Sequence, residues 1–205
     1  MNVEQYMQPG VTTLPPDAPL SAVRATMDEH GFGLLLIATA EGQLTGFITR
    51  AGLKDVKDWD APVDRMTHPV KFSVAPSDTL EKAALIMLAN RLVVLPVVDE
   101  ERLIGVITQA ELLKGLTRAL GIGLEATRFT AKIHVESPDI YRLLDVLEHH
   151  GASLISLVQG NGDADVREVI LRIQNADDKD RLRADLEAAL RESASNSVDE
   201  PASME

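Results

Sequence analysis

Cysteine is absent from the 205-residue chain. That excludes disulfides, thiolate metal sites and cysteine nucleophiles, and it permits a reducing compartment. Aromatic residues make up only 3%. Any core is therefore aliphatic, and modules that stack nucleic-acid bases on rings are disfavoured. Basic residues are the minority: 20 Lys and Arg stand against 32 Asp and Glu, for a net charge of −12. A field of that sign repels DNA, RNA and anionic membranes. No apolar run reaches the roughly 18–20 residues that cross a bilayer. The opening Met1–Gln5 also lacks the basic segment and hydrophobic stretch of a secretory signal. A cytoplasmic location, with no nucleic-acid or membrane partner, is expected.

What the chain does have is an internal repeat. Leu34–Ile37, a polar loop and Leu44–Thr49 are matched by Val93–Val98, a polar loop and Leu103–Thr108. Pro16 and Pro76, Leu20 and Leu80, and Met27 and Met87 lie 60 apart, whereas Gly46 and Gly105, Ile48 and Ile107, and Thr49 and Thr108 lie 59 apart. The one-residue difference belongs in the hairpin loop. Each copy reads as a short extended piece, a helix, two apolar strands joined by a polar turn, and a second helix after the Thr. Leu20, Val23 and Met27 give the first helix its stripe in copy one, and Leu80, Ala83, Ala84 and Met87 do so in copy two. The expected unit is βαββα, packed as a pair that shares a core.

The repeated Gly-apolar-Ile-Thr strand, the Leu95–Asp99 segment, the helices before them and the Met66-Thr67 opening of copy two resemble a tandem pair of CBS domains, the Bateman module, over roughly residues 1–120.

From Arg128 the pattern changes. Phe129, Ala131, Ile133 and Val135 alternate as in a half-buried strand, Phe129–Val135. Ile140, Leu143, Leu144 and Leu147 form a helical stripe after Pro138, ended by Gly151. Leu154–Gln159 and Val166–Gln174 read as strands around turn chemistry at Gly160–Asp163, and Leu182, Leu186 and Leu190 mark a last helix. This second βαββα order resembles a ferredoxin-like ACT domain. Two CBS units followed by an ACT unit resemble the acetoin-utilization protein B family. Ser137-Pro138-Asp139 lacks the Gly usual for ACT domains at that turn, and the polar residues after the last helix replace an expected fourth strand. The expected fold is α+β. Its boundaries are 1–59 and 60–120 for the repeats, 121–127 for a linker, 128–192 for the ACT-like domain and 193–205 for a flexible acidic tail. Acidity is spread throughout: residues 1–124 carry 11 basic and 15 acidic side chains, and residues 125–192 carry 9 and 14.

In CBS families the last strand ends Gly-apolar-apolar-Thr/Ser-x-x-Asp. The resemblance implies a Thr hydroxyl on phosphate and a carboxylate on the two ribose hydroxyls of an adenine nucleotide. Copy one reads Thr49-Arg50-Ala51-Gly52, without the acid; copy two reads Thr108-Gln109-Ala110-Glu111, with an acid one methylene longer. Binding is therefore expected mainly at Thr108 and Glu111. The same Thr-x-x-Glu spacing is also a capping box, which needs no ligand. Arg50 could neutralise phosphate or simply be solvated. Arg91 could reach a ligand or sit at a helix end. His149 and His150 are adjacent and point apart on a helix, Asp163-Ala164-Asp165 reads as a turn and not a calcium loop, and Gly121-Ile122-Gly123 reads as linker. No nucleophile with a base, no metal site and no catalytic cofactor is expected. The expectation is a non-enzymatic regulatory protein, a homodimer, whose CBS pair senses AMP, ADP, ATP or S-adenosylmethionine, with the ACT-like domain serving a second ligand or assembly. The rival is an interaction protein whose CBS pair has lost its nucleotide.

Overall fold

The computed structural model describes residues 1–134 and 136–196, with side chains to Arg191. The chain forms two compact units, Met1–Gly115 and Leu116–Glu205.

In the first unit, α1 (Leu20–His30) buries Leu20, Val23 and Met27, and Gly31 ends it in the left-handed region with φ 69°. Its counterpart α2 (Leu80–Asn90) is capped by Thr79, whose hydroxyl accepts from the Lys82 N–H. Arg91 takes the place of Gly31 at the end of α2, at φ 54°, a conformation that is strained for a residue with a Cβ.

Two three-stranded sheets carry the repeat. The first is β2 (Thr13–Leu14), β3 (Leu34–Ala38) and β4 (Leu44–Thr49), with β2 parallel to β3. The second is β1 (Gln8–Pro9), β6 (Arg102–Thr108) and β5 (Val94–Asp99). Both hairpins carry a register shift, after Ile37 and after Val97. Copy two ends in a full helix, α3 (Gln109–Ala119). Copy one does not: only a single 3-10 turn, Arg50–Leu53, follows Thr49. The expected second helix is corrected here. Gly52 weakens helix propagation, and beyond Leu53 only Val56 supplies an apolar contact before Trp59.

The two copies exchange their leading segments. Val3 is buried with Val74, Leu80, Leu95 and Ile107, in the core of copy two. Val63 is buried with Leu20, Leu35 and Ile48, in the core of copy one, and Met66 packs there too. Likewise β1 pairs with β6, whereas His68 exchanges backbone hydrogen bonds of 2.8 and 2.9 Å with Phe47 of β4. The repeated glycines follow from this crossing. A Cβ on Gly46 would lie 2.8 Å from the His68 carbonyl, and one on Gly105 would lie 2.8 Å from the Gln8 carbonyl.

The second unit has β7 (Thr127–His134), α4 (Asp139–His149), β8 (Ser153–Gly162), β9 (Val166–Gln174) and α5 (Lys179–Asn196), with strand order β7-β9-β8 and antiparallel neighbours. Phe129, Ala131 and Ile133 alternate inward against Leu143, Leu147, Leu182 and Leu186. The βαββα order matches expectation, and Val135 lies outside the described residues. Asp163 accepts from the Asp165 and Val166 N–H groups at 3.1 and 2.8 Å, closing the hairpin. The helix α5 runs to Asn196, so Ser193–Asn196 is helix where tail was expected. Once a helix is nucleated, each further residue adds a hydrogen bond without a new nucleus. The remainder of the expected tail, and its mobility, lie outside the described residues.

Candidate functional site

Two clefts flank the central strands of the first unit. One, of about 590 Å³, is lined by Gln8–Thr12, Phe32–Leu34, Leu36, Thr49, Val93, Val94, Val106 and Thr108, among others. The other, of about 480 Å³, is lined by Leu34, Leu36, Phe47, His68–Phe72, Leu92, Val94 and Pro96. They share Leu34, Leu36 and Val94, and their distinctive walls, Gln8–Thr12 and His68–Phe72, are 60 residues apart. The repeat thus builds each cleft from the segment leading into one copy and strands of both.

In the larger cleft, β6 ends at Thr108 and α3 starts at Gln109. The Thr108 hydroxyl donates to Glu111 Oε2 and accepts from the Ala110 N–H at 3.2 Å. The Thr108 N–H donates to the same Oε2 at 3.2 Å. Gln8 of β1 donates its amide to Glu111 Oε1 at 2.6 Å. Burial alone would push the Glu111 carboxyl up, but the donors from Thr108, Gln8 and the backbone together hold it below the ordinary range. Glu111 is therefore a carboxylate with both oxygens engaged, and it completes a capping box. Thr49 lines this cleft beside Thr108, its hydroxyl accepting from the Gly52 N–H at 3.2 Å. With Gly at 52 there is no acid in the equivalent place in copy one.

The two arginines do not join them. Arg50 turns back to the C-terminal end of α1, where its guanidinium donates to the carbonyls of Met27 at 2.6 Å and Phe32 at 3.2 Å and pairs with Asp28 at 2.5 Å. A cation suits that end of the helix dipole. Arg91 is exposed and lines neither cleft.

Sequence reasoning missed Gln8 and His68–Phe72. The signal was present: the offset of 60 that aligns Leu20 with Leu80 also aligns Pro9 with Pro69. The second cleft has its own chemistry. The His68 ring lies 5.6 Å from that of Phe47, and Lys71 and Phe72 are exposed at its edge.

Elsewhere the side chains stay apart. His149 contacts the Asp145 carbonyl and His150 the Asp185 carboxylate, so the adjacent pair serves different partners. Among the described residues no three His, Asp or Glu converge as a metal site, and no helix is long and apolar enough to cross a membrane.

This duplicated sheet-and-helix unit with paired clefts has a family. The CBS domain profile matches residues 3–58 and 54–118, more than half of the chain. The protein belongs to the CBS domain family and carries its domains as a tandem pair in a mixed α+β fold. The inosine-5′-monophosphate dehydrogenase of Methanocaldococcus jannaschii is 37% identical over 107 residues, which are 51% of this chain and 21% of the enzyme. The chain thus spans about a fifth of that relative. Among solved structures, a CBS domain pair/ACT domain protein from Thermotoga maritima superposes with TM-score 0.54 at 26% identity, covering 58% of this chain and 99% of that one. CBSX2, solved in complex with AMP, superposes with TM-score 0.52 at 22% identity, covering 56% and 95%.

Proposed function

We propose that this is a non-enzymatic regulatory protein that senses an adenine nucleotide in the cleft bearing Thr108 and Glu111. One observation carries the proposal: an apolar cleft of about 590 Å³ is lined by Thr108 at the start of α3 and by Gln8, and both side chains donate to the ionised Glu111 carboxylate behind them. Apolar walls suit a base, a helix start suits a phosphate, and a carboxylate accepts from vicinal hydroxyls. AMP in CBSX2 supports the ligand class. Copy one, with Gly52 in place of the acid, is the weaker grip on ribose. Ligand binding acts by favouring one of two arrangements of the paired repeats, which requires unequal affinity for them.

The second unit is read as ACT-like from its βαββα order, serving a second small molecule or assembly. A link to acetoin utilization rests on the order of modules alone, and the location proposed is cytoplasmic. Calorimetry with AMP, ADP, ATP and S-adenosylmethionine tests the proposal. Saturable heat for one of them is expected, and none for any of them overturns it.

A second reading has its own observation. Gly52 removes one acid, and Glu111 is engaged by its cap and by Gln8, as in an interaction protein that has lost its nucleotide. Failure of all four ligands, with a partner protein still bound, is its expected outcome.

A further inference from the structure

Gln8 and Glu111 are 103 positions apart and meet at 2.6 Å. We infer that the Gln8 side chain is an internal competitor for ligand, occupying on Glu111 the acceptor that a ribose hydroxyl would need. The inference rests on the nucleotide reading above.

Three features argue for it. First, Oε2 is filled by the Thr108 hydroxyl and N–H, and Gln8 takes one of the two lone pairs of Oε1, which leaves a single acceptor position. A vicinal diol, which brings two hydroxyls, can therefore bond the carboxylate through both only by displacing Gln8, itself part of the cleft wall. Second, the donors differ in how easily they leave. Thr108 belongs to the cap of α3. Gln8 is exposed, and only its side chain makes this contact. Its backbone is fixed separately, by β1 pairing with Val106 and by close approach to Gly105. The amide can therefore swing away without moving β1, at the cost of one charge-assisted hydrogen bond. Third, the contact is confined to one cleft. The equivalent of Gln8 is His68, which packs on Phe47, and the equivalent of Glu111 is Gly52. Gln8 therefore sets the affinity threshold of the Thr108–Glu111 cleft alone.

The test is Gln8→Ala in the full chain. By calorimetry, AMP should bind the variant roughly fivefold or more tightly than the parent, the value of one displaced hydrogen bond. The preference for AMP over 2′-deoxy-AMP should widen in the variant, because the 2′-hydroxyl no longer has to displace a donor. A readout without ligand runs in parallel. Carboxyl NMR should show Glu111 titrating higher in Gln8→Ala, since a donor to its charged form is gone. Equal or weaker AMP binding by the variant, with the parent binding, overturns the competitor role and leaves the nucleotide reading intact. Binding by neither protein overturns both. Binding by the variant alone supports both.

Discussion

Glu111 caps α3 and, in the proposed nucleotide site, accepts from ribose, and substitution can separate the two roles. Glu111→Ala should weaken nucleotide binding about tenfold or more, the value of a charged acceptor. Equal affinity for AMP and ATP in calorimetry would reduce Glu111 to a cap. Its titration gives a second check. Because the folded pKa lies below the ordinary value of 4.5, the stability it contributes is present above the unfolded pKa and is lost as pH falls through the folded one. The gap in urea stability between the parent and Glu111→Gln should therefore hold at neutral pH and close below about pH 4.5. Arg91 poses a different question. It adopts φ 54° where copy one has Gly31 at 69°. Arg91→Gly should raise stability by roughly 0.5–1 kcal/mol, since a left-handed Cβ is disfavoured. Thermal melting reads that gain, and calorimetry reads whether the guanidinium reaches a ligand. Unchanged affinity in a stabler variant would leave Arg91 as a helix end only.

Among elements, the hairpin between β5 and β6 turns on Glu100 at φ 43° and Glu101 at φ 68°. Both central residues are left-handed, the geometry of a two-residue turn that favours Asn-Gly. The double substitution Glu100→Asn and Glu101→Gly should therefore stabilise the first unit by roughly 1–2 kcal/mol. It also removes two negative charges. An increase in melting temperature that vanishes in high salt would point to charge instead of conformation. The contrast between the α3 helix and the single turn after Thr49 also belongs to this scale. Thr108 and Glu111 form a capping box for an 11-residue helix, whereas Thr49 caps only Gly52 and a 3-10 turn.

For the whole molecule, two surfaces point to self-association. On α2, Leu85 and Leu88 are 68% and 75% exposed, and on α3 Leu113 is 63% exposed. The strand β7 pairs only with β9 among the described residues, leaving its other edge without a strand partner. A homodimer is expected in sedimentation. Leu88→Glu separates the helical surface from the strand edge, and Lys132→Asp perturbs the edge without the unfolding risk of Ile133→Pro. A monomeric parent would sink the idea. So would fully protected Thr127–His134 amides in a monomeric sample.

The repeat, the alternation of Phe129, Ala131 and Ile133, the helical stripes and the capping box are all legible in the residues alone, because each is a local pattern with a fixed spacing. Those patterns do not determine which sheet receives each leading segment. Val3 and Gln8 precede copy one yet complete copy two, and Val63 and His68 do the reverse. The two sheets present nearly the same face, so no local propensity distinguishes them. The choice falls to non-local pairing, where Gly46 and Gly105 let the crossing backbone approach. That crossing brings Gln8 onto Glu111 and builds the cleft walls, so the composition of the site is set by long-range pairing.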